Sequence, residues 1–302
     1  MKGKQKLGLW SAIAFLSLLL AISFSPVNAV NSQQEFTSFA DWCANKANLH
    51  PDTRRTVDVL LQQVGTTDCN RADRKLSALT ELYLDEHQIS DIQPLSNLSN
   101  LTILVFFKNQ VSDIKPLSSL SKLTYLSLSE NQISDIQPLS ALTKLTFLYL
   151  DNNQISDIKP LSNLNNLHEL SLNKNQISDI QPLSSLNKLT LLSLRENQIS
   201  DIKSLSNLTN LNDLSLAKNQ IRDIQPLSAL TKLIYLYLSD NQITDIKPLS
   251  SLTNLDVLAL YNNQITDIKP LSYLSKLTDI DLSNNPIADK NCPVKPESIC
   301  SF

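Results

Sequence analysis

A 22-residue pattern, LxxLxLxxNQIxDIxPLSxLxx, recurs ten times in succession and constrains the fold more than any other feature of this sequence. Its first position is occupied by Leu79, Leu101, Leu123, Leu145, Leu167, Leu189, Leu211, Leu233, Leu255 and Leu277. A constant period of this length indicates a solenoid, in which each unit buries its apolar side only by stacking on its neighbours. We therefore expect one continuous array over residues 79–290, although a length of 302 residues would by itself suggest about two domains.

Each repeat combines the pattern of a short strand with that of a tight turn. The LxL segment alternates apolar and variable residues, which predicts a strand with one face in the core. The proline in the second half fits the first turn of a single helical or 3₁₀ turn. The fold class is then an α/β solenoid. We expect it to curve into a horseshoe or arc, with a parallel sheet on the concave face and short 3₁₀ turns on the convex face.

The first 29 residues have the layout of a secretory signal peptide. Three lysines, Lys2, Lys4 and Lys6, precede an apolar run over residues 7–24 and a small-residue ending at residues 27–29. The apolar run is also long enough for an uncleaved membrane anchor, so both alternatives stay open. Either way, we expect an exported protein that is periplasmic, secreted or held at the cell surface.

Residues 30–78 lack the repeat and are predicted to form a helical N-terminal cap. Apolar side chains follow helical spacing at Phe36, Phe39, Ala40 and Cys43 and again at Val57, Leu60, Leu61 and Val64. The second of these two helices has Pro51 near its start and Gly65 just past its end, which are favoured positions for both residue types. Such a cap would cover leucines that the first coil otherwise exposes to water.

Four cysteines in an exported chain indicate disulfide bonds. Ten coils spaced by about 4.8 Å separate the two ends of the array by tens of ångströms. Bridged Cα atoms must lie within roughly 7 Å, which leaves Cys43–Cys69 and Cys292–Cys300 of the three possible connectivities. One bond then lies in each cap, with residues 291–302 as the C-terminal cap. No pair has the CxxC spacing typical of redox or metal sites.

Composition argues against several classes of function. The formal net charge is −3 and the pI is near 5.6, so there is no basic excess to attract nucleic acid. All three glycines precede the array, which therefore contains no glycine-rich phosphate loop. The three histidines, His50, His87 and His168, have no nearby nucleophile arrangement. We expect no enzymatic activity, cofactor or metal, no nucleic-acid partner, and no membrane contact beyond the signal segment.

Two polar positions recur in nearly every repeat. The asparagine column comprises Asn109, Asn131, Asn153, Asn175, Asn197, Asn219, Asn241, Asn263 and Asn285, and we expect its amides to satisfy buried backbone groups. The aspartate column comprises Asp91, Asp113, Asp135, Asp157, Asp179, Asp201, Asp223, Asp245, Asp267 and Asp289. A ladder of calcium sites is one interpretation of the aspartates. The favoured one is that each carboxylate caps the turn beginning beside it.

Variable outward positions of the strands carry most of the large aromatic residues. The candidate partner-binding residues are Tyr83, Phe107, Tyr125, Phe147, Tyr149, Tyr235, Tyr237 and Tyr261. They form one group in repeats one to four and another in repeats eight and nine. Exposed aromatics are typical of recognition patches, because they offer a wide contact area for little loss of entropy. The alternative is that aromatic residues simply favour strands.

The motif LxxLxLxxNxIxDIxPLxxLxx resembles the leucine-rich repeat family. Its 22-residue form with Asp-Ile and Pro-Leu is similar to the bacterial internalins and the eukaryotic phosphatase-regulatory leucine-rich repeat protein. The cysteine-containing helical cap and the ending NPIADKNCPVKPESICSF resemble exported cyanobacterial leucine-rich repeat proteins.

Internalin-type proteins bind host surface receptors with the concave face and usually continue into an immunoglobulin-like domain and a wall-anchoring tail. Because this sequence ends a few residues after the last repeat, the resemblance implies a small exported bacterial protein that binds a protein or peptide. The phosphatase-regulatory relatives suggest the alternative of a regulatory subunit or inhibitor of an exported or surface enzyme.

Overall fold

The computed structural model of the protein describes residues 36–302. The predicted signal peptide at residues 1–29, with the question of its cleavage, lies outside the described residues, as do residues 30–35 of the predicted cap. No helix between residues 36 and 302 has the length and apolar character needed to cross a membrane.

Within residues 36–302, eleven parallel strands form a single sheet whose order follows the chain. The strands are β1 Glu81–Tyr83, β2 Ile103–Val105, β3 Tyr125–Ser127, β4 Phe147–Tyr149, β5 Glu169–Ser171, β6 Leu191–Ser193, β7 Asp213–Ser215, β8 Tyr235–Tyr237, β9 Val257–Ala259, β10 Asp279–Asp281 and β11 Cys300–Ser301. Equivalent positions of successive repeats pair, so that Leu126 lies beside Leu104 and Leu148. The repeat period therefore sets the register of the sheet.

The second half of each of the first nine repeats forms a 3₁₀ turn, as predicted. These turns are Gln93–Leu95, Lys115–Ser119, Gln137–Ala141, Lys159–Leu161, Gln181–Leu183, Lys203–Asn207, Gln225–Ala229, Lys247–Ser251 and Lys269–Tyr273. A proline at the start supplies a suitable φ angle and lacks the N–H that would go unpaired there. Only the Lys203–Asn207 turn departs from this rule among the nine, because Ser204 replaces the proline.

Leucine and isoleucine side chains of the repeats form one continuous core. The middle residue of each strand from β1 to β10 is at most 3% exposed, and those of β2 to β10 are fully buried. Complete burial of one such side chain contributes roughly 1.5–3 kcal/mol. The predicted α/β solenoid, with a parallel sheet, 3₁₀ turns and a helical N-terminal cap, is confirmed.

Three residues after each of the strands β1 to β10, one residue has a left-handed backbone conformation. Ten non-glycine residues at the eighth position of the repeat have φ between 52° and 59°. They are Glu86, Lys108, Glu130, Asn152, Lys174, Glu196, Lys218, Asp240, Asn262 and Asn284. This conformation turns the chain out of the sheet, but it is unfavourable for residues that carry a Cβ atom. Nothing in the residue types, several of them Glu or Lys, pointed to it.

The described part of the N-terminal cap, residues 36–78, contains three α-helices, where the sequence predicted two. They are α1 Phe39–Ala44, α2 Pro51–Val64 and α3 Cys69–Ser77, with a 3₁₀ turn at Lys46–Asn48. Pro51 begins α2, and Gly65 ends it with φ 62°, as predicted. Helix α3 was missed because only Ala72 and Leu76 of its nine residues are buried. Its signal was the N-cap aspartate before it, with lysine and arginine in its last turn.

Both caps extend the core of the array. Phe39, Leu60 and Leu76 are fully buried in the same cluster as the repeat leucines. At the N-terminal side, the hydroxyl of Thr56 donates a 2.6 Å hydrogen bond to the backbone carbonyl of Asp91 in the first coil. The disulfide between Cys43 and Cys69, whose Cα atoms are 5.5 Å apart, joins α1 to α3 as predicted.

The C-terminal cap adds a strand that the sequence did not predict. Strand β11 pairs with β10, and the backbone N–H of Leu282 donates to the carbonyl of Ser301 at 2.8 Å. The predicted disulfide joins Cys292 to Cys300, the first residue of β11, with 5.8 Å between Cα atoms. This segment lacks the repeat motif, so the count of ten strands expected from the repeats was one too few.

Candidate functional site

The outward side chains of the strands form a surface that we call the sheet face, comprising the third, fifth and seventh positions of the repeats. Exposure alternates along β1, where Tyr83 is 50% exposed while Leu82 and Leu84 on either side are buried. All eight predicted partner-binding aromatics belong to this surface, and each is exposed or part-buried. None lies among the core leucines. Their role in binding stays a prediction.

Three rings of the first aromatic group are in contact. The centroid of the Tyr125 ring lies 5.9 Å from that of Phe147 and 5.4 Å from that of Tyr149, in tilted arrangements. Aromatic pairs at this separation are favourable beyond the area they bury. The contacts arise because Tyr125 pairs with Phe147 across β3 and β4, while Tyr149 lies two residues further along β4. The group is therefore a joined apolar patch.

A carboxylate borders this patch. The phenol of Tyr149 donates a 2.6 Å hydrogen bond to Glu169 in the next coil. Burial, followed by this hydrogen bond, raises the pKa of Tyr149 well above its ordinary value. Burial and the nearby charge of Glu169 also raise the pKa of Tyr125. Both phenols are therefore held in their neutral, hydrogen-bond-donating form.

The second aromatic group lies on the other side of the polar middle coils. Tyr235, which is 38% exposed, pairs with Asp213 of β7, and Tyr237 lies two residues further along β8. Burial, followed by the charge of Asp213, raises the pKa of Tyr237. Tyr261 follows β9 at the seventh position and is part-buried. A carboxylate-bearing residue thus adjoins each aromatic group.

A depression of about 480 Å³ adjoins the first group, lined by Phe107, Tyr149 and polar residues that the sequence did not identify as site residues. Asp151 accepts hydrogen bonds from the Ser171 hydroxyl at 2.5 Å and from the Asn173 backbone N–H at 2.8 Å. The side chain of Asn173 in turn accepts from the Arg195 backbone N–H at 2.7 Å. The sequence feature that could have identified these polar residues is the acid or amide at the seventh position of the repeat.

The asparagine column satisfies buried backbone groups, as predicted, and does so across neighbouring coils. The amide of Asn131 donates to the carbonyls of Phe106, Leu128 and Ser129, the first of which lies in the preceding coil. Its side-chain oxygen accepts the backbone N–H of Val111 at 3.0 Å. Equivalent bonds recur through the column. These side chains are buried or part-buried, and their amide groups are already hydrogen-bonded to the backbone, so we interpret them as structural residues.

The aspartate column caps the turns. All ten carboxylates accept the backbone N–H of the residue two positions later, at 2.8–3.1 Å. The capping interpretation is thereby confirmed. Between residues 36 and 302, no group of three or more His, Cys, Asp or Glu side chains is placed to hold a metal ion.

Comparison with protein families agrees with this geometry. The sequence profile for "Leucine Rich repeats (2 copies)" matches overlapping segments that together span residues 77–229 and 231–291. The chain belongs to the leucine-rich repeat family. Comparison with curated protein sequences finds no match. The profile indicates no enzyme family.

Solved structures indicate which class of leucine-rich repeat protein this chain resembles. An internalin (inlF) from Listeria monocytogenes is 39% identical with a TM-score of 0.76, and the match covers 81% of this chain and 72% of that one. Internalin C2 from the same species is 32% identical with a TM-score of 0.55, covering 75% and 91%. The protein is therefore an internalin-like leucine-rich repeat protein. The resemblance to cyanobacterial proteins stays a prediction.

A plant protein shows the same fold at lower identity. The leucine-rich repeat ectodomain of the membrane receptor kinase GASSHO1/SCHENGEN3 from Arabidopsis thaliana, solved in complex with CASPARIAN STRIP INTEGRITY FACTOR 2, is 29% identical with a TM-score of 0.63. The match covers 70% of this chain but only 28% of the receptor chain.

Proposed function

We propose that this leucine-rich repeat protein is an exported, non-enzymatic module that binds a protein or peptide on its sheet face, which corresponds to the concave face expected from the sequence. The observation that carries the proposal is the joined patch of Tyr125, Phe147 and Tyr149 on a surface whose other side is fully used by the core. Partly exposed aromatic rings held by their neighbours lose little freedom on binding.

The relatives and the disulfides support the same proposal. Leucine-rich repeat proteins of the internalin and receptor types are protein-binding modules, and the plant ectodomain is seen with a bound factor. Two disulfide bonds, with no free cysteine among the described residues, are typical of proteins that leave the reducing cytosol. Export therefore rests on the cysteines and on the predicted signal peptide.

The test compares aromatic residues on opposite sides of the repeats. Purified protein is used to capture partners from the exported fraction of the source organism. The double substitution Tyr149→Ala and Tyr237→Ala should abolish capture, while leaving the circular dichroism spectrum unchanged. The control is Tyr273→Ala, because Tyr273 is 67% exposed but ends a 3₁₀ turn away from the sheet face.

Capture that survives the double substitution would overturn the proposed surface. A captured protein that proves to be an enzyme, with activity altered by this protein, would establish the regulatory alternative on the same surface.

A further inference from the structure

The centre of the sheet face has an ordered arrangement of charge and aromatic rings. The third positions of coils three to eight form a row of Tyr125, Phe147, Glu169, Leu191, Asp213 and Tyr235. Two acidic residues therefore stand on either side of Leu191, with aromatic residues beyond each. Strands are about 4.8 Å apart, so the backbones of Glu169 and Asp213 are separated by about 10 Å.

The fifth positions add a tyrosine at each end of this centre. Tyr149 donates a hydrogen bond to Glu169, and Tyr237 lies close enough to Asp213 for the carboxylate charge to raise its pKa. Between these tyrosines, the fifth positions of coils five to seven are all serine, so no large side chain stands there. This part of the sheet face therefore combines one apolar side chain, two carboxylates and two bordering tyrosines.

Neither carboxylate forms an ion pair within the described part of the chain. Among residues 36–302, no lysine, arginine or histidine nitrogen lies within 4.0 Å of Glu169 or Asp213. Arg195, the one arginine on the sheet face, pairs instead with Glu196 at 3.1 Å. Glu169 accepts only the Tyr149 hydroxyl, and no side-chain hydrogen bond to the part-buried Asp213 is formed within the described residues.

A guanidinium group complements this site better than other protein groups. It is planar, carries five N–H donors in a fixed fork, and is less strongly hydrated than an ammonium group. Its two edges can donate to carboxylates on opposite sides, while its faces can lie on apolar or aromatic surface. Leu191 supplies apolar surface between the two acids.

We propose that the centre of the sheet face, formed by Glu169, Leu191 and Asp213 between Tyr149 and Tyr237, receives an arginine side chain of the protein or peptide partner. This inference rests on the proposed function and names the chemistry of the partner at one position. The aromatic groups on either side then contact the partner residues that flank the arginine.

The probe is N-acetyl-arginine amide, compared with N-acetyl-citrulline amide, in which a neutral urea replaces the guanidinium. The full chain is titrated with each compound and followed by NMR of the tyrosine rings. For a ligand of this size we expect saturable binding with a Kd on the order of millimolar. The citrulline compound should bind at least about tenfold more weakly, since it cannot form charge-assisted hydrogen bonds.

Matched variants locate the site. The pair E169Q and D213N should weaken binding of the arginine compound at least about tenfold, because both acceptors lose their charge. The pair E81Q and D279N makes the same change at the third positions of the first and last coils and should leave binding within about twofold of the original protein. Circular dichroism verifies that both variants fold.

The inference is overturned if the arginine compound shows no saturable binding, if citrulline binds equally well, or if the two paired variants behave alike. If partner capture is nevertheless abolished by Tyr149→Ala and Tyr237→Ala, the arginine inference is rejected but the proposed binding surface is retained. If capture survives the tyrosine substitutions, the proposed binding surface is rejected, whatever the arginine compound shows.

Discussion

The phenol of Tyr149 donates a 2.6 Å hydrogen bond to the carboxylate of Glu169 across two adjacent coils. Burial and this bond raise the pKa of the phenol in the folded protein. A raised folded pKa contributes stability below the unfolded pKa of about 10, and this is lost as pH rises through the folded value. Above pH ~10, we therefore expect stability to fall less steeply in Tyr149→Phe than in the original protein.

Urea unfolding at a series of pH values from about 8 upward measures this difference. Tyr125 and Tyr237 also have raised pKa values, so both proteins should lose some stability in alkaline solution. Only the difference between the two curves reports on Tyr149. Parallel curves would show that neither burial nor the hydrogen bond to Glu169 raises the pKa of Tyr149 in solution.

Asp213 should lower stability at neutral pH. Burial, followed by the charge of Glu169, raises the pKa of its carboxyl group, so the folded protein favours the protonated form. Asp213→Asn is therefore expected to increase the free energy of unfolding at pH 7, by well under about 1 kcal/mol because water screens a group that is only partly buried. The increase should disappear as pH falls below the ordinary value of about 3.9, where Asp213 is protonated in both states.

The comparison variant is Asp279→Asn, which makes the same substitution at an exposed position in the same row. A loss of stability in Asp213→Asn would contradict the prediction. It would mean that the carboxylate has a favourable partner in solution. A gain would agree with a residue kept for binding at a cost in stability.

Removal of one side chain of the asparagine column should lower the free energy of unfolding substantially. Asn131→Ala leaves the N–H of Val111 and the carbonyls of Phe106 and Leu128 without their side-chain partner. Buried groups left unpaired cost about 1–3 kcal/mol each, partly relieved by water, so we expect a loss of about 2–4 kcal/mol. The neighbouring Gln132→Ala is the control, because its side chain is exposed, and should change stability by less than about 0.5 kcal/mol. Similar values for both, measured by urea unfolding, would contradict the ladder.

The two disulfides should contribute different amounts to the free energy of unfolding. Their sequence separations are 26 and 8 residues. The loss of loop entropy in the unfolded chain predicts about 3.5 kcal/mol for Cys43–Cys69 and about 2.5 kcal/mol for Cys292–Cys300. Paired alanine substitutions, compared by thermal and urea unfolding, measure both contributions. Fluorescence of Trp42, which is buried in α1, reports on the N-terminal cap. A larger loss from the C-terminal pair would reverse the expected order.

The left-handed column offers a way to stabilise the array. Glu130 has φ 56°, a conformation that Asn adopts more readily than Glu. Asn152, Asn262 and Asn284 already occupy the equivalent position. Glu130→Asn should raise the free energy of unfolding by about 0.5–1 kcal/mol. Lys144→Asn, at an exposed residue with ordinary φ, should bring no such gain. Equal effects of the two substitutions on urea unfolding would show that the backbone strain is not the cause.

The sequence predicted the parts of the fold that repeat. The spacing of leucine, asparagine and aspartate gave the strand, the turn and the function of both polar columns, because each must satisfy the same local rule in every coil. Helix α3 and strand β11 were missed because each contains few apolar residues, and both are held by contacts with the rest of the chain. A sequence pattern records such contacts poorly.

The repeat by itself determined the solenoid, its register and the outward direction of the variable side chains, since a period of 22 residues leaves only one way to stack the leucines. Only the tertiary structure decided which side chains meet on the sheet face. Glu169 and Asp213 lie 44 residues apart in the chain, and so do Tyr149 and Ser193. The separation in sequence therefore does not reveal which of these side chains interact. Stacking brings Tyr149 against Glu169 but places no cation of residues 36–302 beside Asp213, because side-chain contact depends on rotamer and burial as well as on register.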